Sequence, residues 1–216
     1  MWPYHEEPKE SDMTKTWIAL AVAAAALAPA FQAQAQDKGD WIVRAHALYL
    51  KPHNTDNTGL DLSIDSKTFP EFDISYFLTP NLALELVLTY PQKQKVYSGD
   101  TQIGTFKHLP PTLSFQYHFT SLPGFRPYLG AGLNYTRLSN VEFNPAVTAA
   151  LQPTLSKNSY GLALGGGVDV PLGGGWLFNA DLKKVQVKTD VSSFGSKVGT
   201  LKVDPVLFGV GIGKRF

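Results

Sequence analysis

The side chains that could do chemistry in this chain are few and scattered. Four acids, Asp73, Glu85, Asp169 and Asp181, stand in largely apolar stretches, and His46 and His118 share that setting. Two carboxyl groups of different proton affinity, with a histidine as base, could serve general acid–base hydrolysis. The same acids could instead answer Arg44, Lys183 and Arg215 in an internal ion-pair lattice, because a charge taken out of water needs a partner. No Ser/His/Asp order and no acid pair stands out, so the lattice is expected and an enzyme is not. Neither histidine belongs to a His-x-x-x-His or Glu-x-x-His spacing, so each is expected to hydrogen-bond rather than to hold a metal. The chain has no cysteine, which removes thiolate metal sites, thiol nucleophiles and disulfides. Gly165-Gly166-Gly167 lacks the Lys-Ser/Thr of a phosphate-binding loop. No cofactor is implied.

These residues must be positioned by elements, and composition narrows which. With 44% hydrophobic and only 17% charged residues the chain is not of the disordered class. A net charge of +1 without a long basic run leaves no nucleic-acid footprint. Nineteen Gly, fifteen Pro and 12% aromatic residues favour many strands and turns over a helical bundle.

The N-terminal region reads separately. Lys15 precedes an uncharged run over 17–31, and Ala33-Gln34-Ala35 supplies the small residues of a cleavage site. That order predicts a secretory signal peptide over 13–35. The run is too short for a membrane span of about 20 residues, and Pro29 interrupts it. Residues 1–12 carry Glu6, Glu7, Glu10 and Asp12 against one Lys, the wrong sign for a leader, and read as an upstream extension before a start at Met13. The exported domain is 36–216.

Within that domain no apolar run is long enough for a helical span. Eight stretches alternate with period two instead: 41–50, 70–78, 82–90, 109–119, 127–135, 160–170, 176–183 and 206–216. One face of each is apolar, such as Trp41, Val43, Ala45, Ala47 and Tyr49, or Leu82, Leu84, Leu86 and Leu88. The other face mixes glycine with charge: Arg44 and His46, Glu71 and Asp73, Glu85, His118, Asp169, Asp181 and Lys183, Arg215. A soluble sandwich also alternates, but this second face suits the lumen of a membrane barrel. Aromatic residues at the row ends (Trp41, Tyr49, Tyr90, Tyr160, Trp176, Phe216) suit its interfacial girdles. Connections 79–81, 120–125 and 171–175 are short, whereas 51–68, 91–107, 138–158 and 189–201 are long and polar. Strict alternation of short and long connections is the pattern of periplasmic turns and external loops. The expected fold is all-β, an eight-stranded antiparallel transmembrane β-barrel in the outer membrane of a Gram-negative bacterium. A helix at the mouth is expected after Asn144-Pro145, where Ala146, Val147, Ala149, Ala150 and Leu151 follow. Glycine in the lumen rows either makes room for bulky side chains opposite or leaves the channel open.

His108-Leu109-Pro110-Pro111-Thr112-Leu113, Phe125-Arg126-Pro127-Tyr128-Leu129-Gly130-Ala131-Gly132-Leu133-Asn134-Tyr135-Thr136, Asn179-Ala180-Asp181 and the ending from Asp204-Pro205 to Phe216 resemble the OmpW family of outer-membrane proteins. The resemblance implies a narrow, partly hydrophobic channel for small hydrophobic molecules, with exit sideways into the membrane. It also implies a constriction at Val87 and Lys183. Ile42, Leu48 and Leu50 are the apolar lumen residues expected to join Val87 in a pocket. Lys184 and Lys214 fall on outward rows and are expected near a headgroup boundary, where a charge costs little. Implied partners are outer-membrane lipid and lipopolysaccharide, the barrel-assembly machinery and small hydrophobic ligands. Phe216, the aromatic end of an alternating strand, is expected to be the assembly signal. The alternative is a structural or receptor barrel with a plugged lumen whose loops bind colicin or phage.

Overall fold

The computed structural model describes residues 38–216; the expected signal peptide and upstream extension lie outside them. Fifteen strands and one short helix make up these residues: β1 Trp41–Lys51, β2 Thr55–Asp56, β3 Leu62–Ile64, β4 Lys67–Phe77, β5 Leu82–Leu88, β6 Gln92–Ser98, β7 Thr101–Leu109, β8 Thr112–His118, β9 Arg126–Phe143, α1 Pro145–Leu151, β10 Thr154–Leu155, β11 Asn158–Gly173, β12 Trp176–Val185, β13 Lys188–Ser193, β14 Ser196–Lys202 and β15 Val206–Arg215.

Eight of them form the barrel. Antiparallel neighbours run β11, β12, β15, β1, β4, β5, β8 and β9, and β9 pairs with β11 to close the ring. Closure is what lipid demands, since an open edge would leave backbone N–H and C=O groups without partners. No helix among the described residues is long and apolar enough to cross a membrane; strands do the crossing.

The alternation sets the two faces. Strand β1 is strictly exposed and buried in turn, with Ile42, Arg44, His46, Leu48 and Leu50 inside. Outward residues such as Leu133 (67% exposed), Leu164 (61%) and Tyr160 (73%) form the lipid-facing band. A one-residue slip would turn every polar residue into lipid, so the register is strongly specified. The seam between first and last strands is closed by Trp41 and Phe216, each donating its backbone N–H to the other's carbonyl at 3.2 and 2.9 Å. Both lie at the end with the short turns.

Beyond the membrane the chain departs from the expected polar loops. Strand β9 continues to Phe143 rather than ending at 135, and β7, β6 and β3 pair outward from its extension. Leu109 belongs to β7, with Pro110-Pro111 separating it from β8. A second sheet joins β10, β13, β14 and β2. Leu62, Ile64, Val96, Phe106, Leu138, Val191, Leu201 and Val203 pack between these sheets as one apolar cluster. Those residues are spread thinly through polar sequence, so burial emerges only when four connections meet. The helix starts where expected, with Pro in its first turn, yet Asn144 makes no side-chain cap; its amide donates to the Gln102 carbonyl at 2.9 Å. None of the helix is buried.

Candidate functional site

The lumen is built in three layers along the barrel axis. At the periplasmic end Ile42, Phe77, Ala83 and Leu177 form a small apolar floor. Ile42 therefore points into the lumen but below the polar layer, and does not join Leu48, Leu50 and Val87 as expected. Strand β1 rises two residues per layer on its inner face, which carries Ile42 well short of Leu48.

Above the floor lies a polar layer centred on Arg44. Its guanidinium donates to Asp73 Oδ1 at 2.8 Å and Ser75 Oγ at 2.9 Å on β4. It also makes a two-pronged contact with Asp169 on β11, at 3.1 and 2.8 Å. Asn179 on β12 donates to Asp169 Oδ1 at 2.7 Å and to the Tyr128 hydroxyl at 3.1 Å. Tyr128 lies under Arg44, 5.6 Å from ring centre to guanidinium carbon, and stacks on His118 at 4.8 Å. Side chains from β1, β4, β8, β9, β11 and β12 thus meet across the lumen in one network. Buried charges this well paired fix geometry more than they add stability.

Glycine makes the crossing possible. Gly213 stands opposite Arg44 on β15, and a Cβ there would lie 2.8 Å from Arg44 Cγ. Gly167 stands beside Tyr128, where a Cβ would lie 2.6 Å from the hydroxyl oxygen. Of the two roles open to these glycines, room for bulky neighbours is the one observed.

The next level holds the second cation. Lys183 Nζ donates to Glu71 Oε1 at 2.8 Å and stands 3.5 Å from Asp181 Oδ2. Glu85 lines a small adjoining cavity with Asp181 and Lys183. The structure thus gathers Arg44, Asp73, Glu85, Asp169, Asp181 and Lys183. Arg215 is not among them: it pairs with Asp40 at 3.4 Å, at the periplasmic mouth, because β15 reaches its end there. His46 donates from Nε2 to Asn179 Oδ1 at 2.9 Å. His46 also stands between two further acids, with Nδ1 3.9 Å from Glu71 Oε1 and Nε2 3.9 Å from Asp181 Oδ2. Glu71, Ser75, Tyr128 and Asn179 were not singled out from the sequence, although each has the lumen-facing parity of its strand.

Above the Lys183–Glu71 pair the lumen turns apolar. A cavity is lined there by Leu48, Leu50, Phe69, Val87, Val185 and Leu207, and it continues to Ile64, Phe106, Leu138, Leu201 and Val203 of the external apolar cluster. Val87 and Lys183 both reach it. In the wall beside it, Pro110-Pro111 separates β7 from β8. The Asn134 side-chain amide donates to both proline carbonyls, at 3.3 and 3.2 Å, and to Thr112 Oγ1 at 2.9 Å. Outside this point lies a groove lined by Leu86, Pro111, Thr112, Leu113, Leu133, Asn134, Tyr135 and Tyr160. Thr112 and Asn134 line the cavity on one side of the wall and the groove on the other.

Of the two outward lysines, Lys214 lies 5.1 Å over the Trp176 ring and donates to the Gly174 carbonyl in a periplasmic turn. Lys184 pairs in register with Val206 at the external end of its strand. Neither faces the middle of the lipid band.

A closed eight-stranded barrel with a lipid-facing apolar band, interfacial aromatics and a polar lumen is an outer-membrane protein of a Gram-negative bacterium. The chain belongs to the OmpW family, whose model matches residues 37–216. Outer membrane protein W of Vibrio cholerae is 32% identical, with 94% of this chain and all of that protein covered. The crystal structure of the outer membrane protein OprG from Pseudomonas aeruginosa superposes with a TM-score of 0.74 at 26% identity, covering 86% of this chain and 99% of that one. A P. aeruginosa protein named for a dibenzothiophene metabolism operon is 29% identical, over 67% of this chain and 70% of its own length.

Proposed function

We propose that the barrel is a passive conduit for small hydrophobic molecules, which enter from outside, rest in the apolar cavity and leave sideways into the membrane. The carrying observation is the stacking of an apolar cavity on a lumen-spanning polar network. An apolar solute gains by leaving water for such a cavity, at roughly 25 cal/mol per Å² of buried area. It has no favourable route through the charged layer below. The wall at Pro110-Pro111 offers another way, since these residues have no N–H to bind a neighbouring strand. Opening there requires releasing the Asn134 amide and the Tyr135 N–H, which donates to the Pro111 carbonyl at 3.0 Å. The relative named for a dibenzothiophene metabolism operon fits an apolar aromatic cargo. The spanning network also fits the alternative of a structural or receptor barrel, and the two differ in uptake.

The absence of cysteine gives a clean test. Thr112 and Asn134 are cross-strand partners on β8 and β9. With both replaced by cysteine, oxidation should lock the wall and stop passage of an apolar fluorescent tracer into the bilayer of proteoliposomes; reduction should restore it. Equal uptake in both redox states would remove the lateral route, and no uptake by the unaltered protein would remove the conduit.

We also propose Phe216 as the signal read by the barrel-assembly machinery, and lipopolysaccharide as the neighbour of the outer rim. Phe216 is 71% exposed, so its side chain adds little to packing while its backbone closes the seam. Deleting it should lower the amount assembled and leave unfolded chain in the periplasm. Normal assembly with only easier melting would reduce Phe216 to an interface anchor.

A further inference from the structure

We propose that Lys93, Lys107 and Arg137, with Lys95 beside them, grip the phosphate groups of one phosphorylated glycolipid of the outer leaflet. Its acyl chain lies in the groove below. The site rests on the reading of lipopolysaccharide as the neighbour of the outer rim, and adds the place and the side chains that hold it. On β9 the outward residues run Leu129, Ala131, Leu133, Tyr135 and then Arg137, while Thr136 and Leu138 are buried. The rings of Tyr135 and Tyr160 stand 5.1 Å apart, where an interfacial girdle belongs. Arg137 follows Tyr135 by two residues, about 7 Å along the strand, the depth at which headgroups begin.

The external strands carry the same outward face further. Lys93, Lys95 and Lys107 are exposed, while Gln92, Gln94, Phe106 and His108 between them are buried. Lys93 is the direct cross-strand partner of Lys107, and Arg137, opposite Leu109, is the diagonal neighbour of Lys107. Such partners stand about 5 Å apart when direct and about 7–8 Å when diagonal, and like charges set directly opposite are destabilising. Lys67 adds charge at this edge, its Nζ donating to the Lys93 carbonyl at 2.6 Å. Asp65 accepts the Lys95 backbone N–H at 3.0 Å, and Glu142 stands opposite Thr105 rather than a cation. Among the described residues no acid is in ion-pair contact with Lys93, Lys95, Lys107 or Arg137, whereas Lys197 and Arg215 pair with Asp190 and Asp40 at 2.8 and 3.4 Å. The repulsion is left for something outside the chain to relieve.

The groove on the outer wall says what that is. It is lined by Leu86, Pro111, Leu113, Leu133, Tyr135 and Tyr160 among others. Tyr135 precedes Arg137 by two residues, and Pro111 follows by two the Leu109 that pairs with Arg137, so the groove ends beneath the cations. An apolar groove capped by clustered positive charge at headgroup depth fits an amphiphile with an anionic head. Phosphate suits the planar fork of Arg137, which takes two oxygens at once, with the lysines as point charges. An acidic protein loop would answer the cations and leave the groove unused.

The test gives the mature barrel in mild detergent either bisphosphorylated lipid A or the same lipid with its phosphates removed, and counts bound lipid by native mass spectrometry. One tightly held lipid A per barrel is expected, released by rising salt. Replacing Lys93, Lys107 and Arg137 together by Gln, with folding checked by heat-modifiable gel mobility, should weaken binding about 100-fold, at about fivefold per cation. The dephosphorylated lipid should bind the unaltered barrel more weakly by a similar factor. Lys51→Gln, exposed at the external end of β1, should leave binding unchanged. Equal lipid A binding by the folded triple variant overturns this site and leaves lipopolysaccharide as the rim neighbour. Equal binding of the two lipids by the unaltered barrel overturns both. Release of lipid A by equimolar inorganic pyrophosphate would make the cluster a free-anion site and overturn the lipid assignment. If the triple variant does not fold, Arg137→Gln and the salt dependence decide, and binding that neither weakens overturns the proposal.

Discussion

The lower and upper halves of the lumen are made by the same strands with the same alternation, and their chemistry is opposite. The inner face of β1 gives Arg44 and His46, then Leu48 and Leu50; that of β12 gives Asp181 and Lys183, then Val185. Facing inward therefore does not set polarity; height along the strand does. In the lower half Arg44, Asp73, Asp169, Asn179 and Tyr128 join five strands through side-chain hydrogen bonds, so movement of one wall breaks bonds to several. In the upper half the inward side chains meet a cavity, and the wall carries two consecutive prolines. A barrel closed below and soft above has its weak point built into its sequence, where a cargo can use it.

The largest effect should come from breaking the lower half. Arg44→Met leaves Asp73 and Asp169 buried without their cation, and removing one partner of such a pair costs about 3–5 kcal/mol. Urea unfolding in lipid vesicles should show that loss. Leu50→Ala, beside an existing cavity, should cost less than the about 2–5 kcal/mol of the same change in a packed core. Equal costs for the two variants would mean that the halves do not differ in stiffness.

Function should reverse that order. Val87→Trp places an indole in the cavity and removes no partner of Arg44, although Val87 stands in register with Asp73. Tracer uptake should fall to that of protein-free vesicles, with stability changed much less than by Arg44→Met. Undiminished uptake would place the route elsewhere.

The legibility of the two halves differs for a physical reason. Period-two alternation is a local signal, so all eight barrel strands and their lumen faces can be read directly. Partnership is not local. Arg44 and Asp169 lie 125 residues apart, and parity places both inside without showing that they meet. Arg215 has the same parity and is carried to Asp40 instead. The His46, Glu71 and Asp181 cluster comes from three strands, so no spacing rule could reveal it. Ile42 shows the converse, an apolar lumen residue separated from the cavity by one layer. The external strands were hardest to read, since their few apolar residues are buried only by joining two sheets.

The smallest expected effect sharpens the comparison beyond the membrane, where the external sheets rest on isolated polar ties rather than a network. Burial works against the Asp56 carboxylate, but the N–H groups of Leu62 and Thr58 and the Thr58 hydroxyl, at 3.0, 3.0 and 2.8 Å, hold its pKa below the usual value. These bonds fasten the start of β3 to β2, which pairs with β14. The sign follows from that lowering. The stabilisation is full above the unfolded pKa of about 3.9 and is lost as the pH falls through the lower folded value. Hydrogen exchange at the Leu62 and Thr58 amides should therefore accelerate, relative to barrel amides, as the pH drops from about 5 to below 4. Asp56→Asn should remove that dependence, because an amide at this position does not titrate. Barrel amides around Arg44 should not follow the same profile. If they loosen together with Leu62, the external sheets and the barrel form one cooperative unit, and the contrast between a tied lower lumen and a loosely fastened exterior is lost.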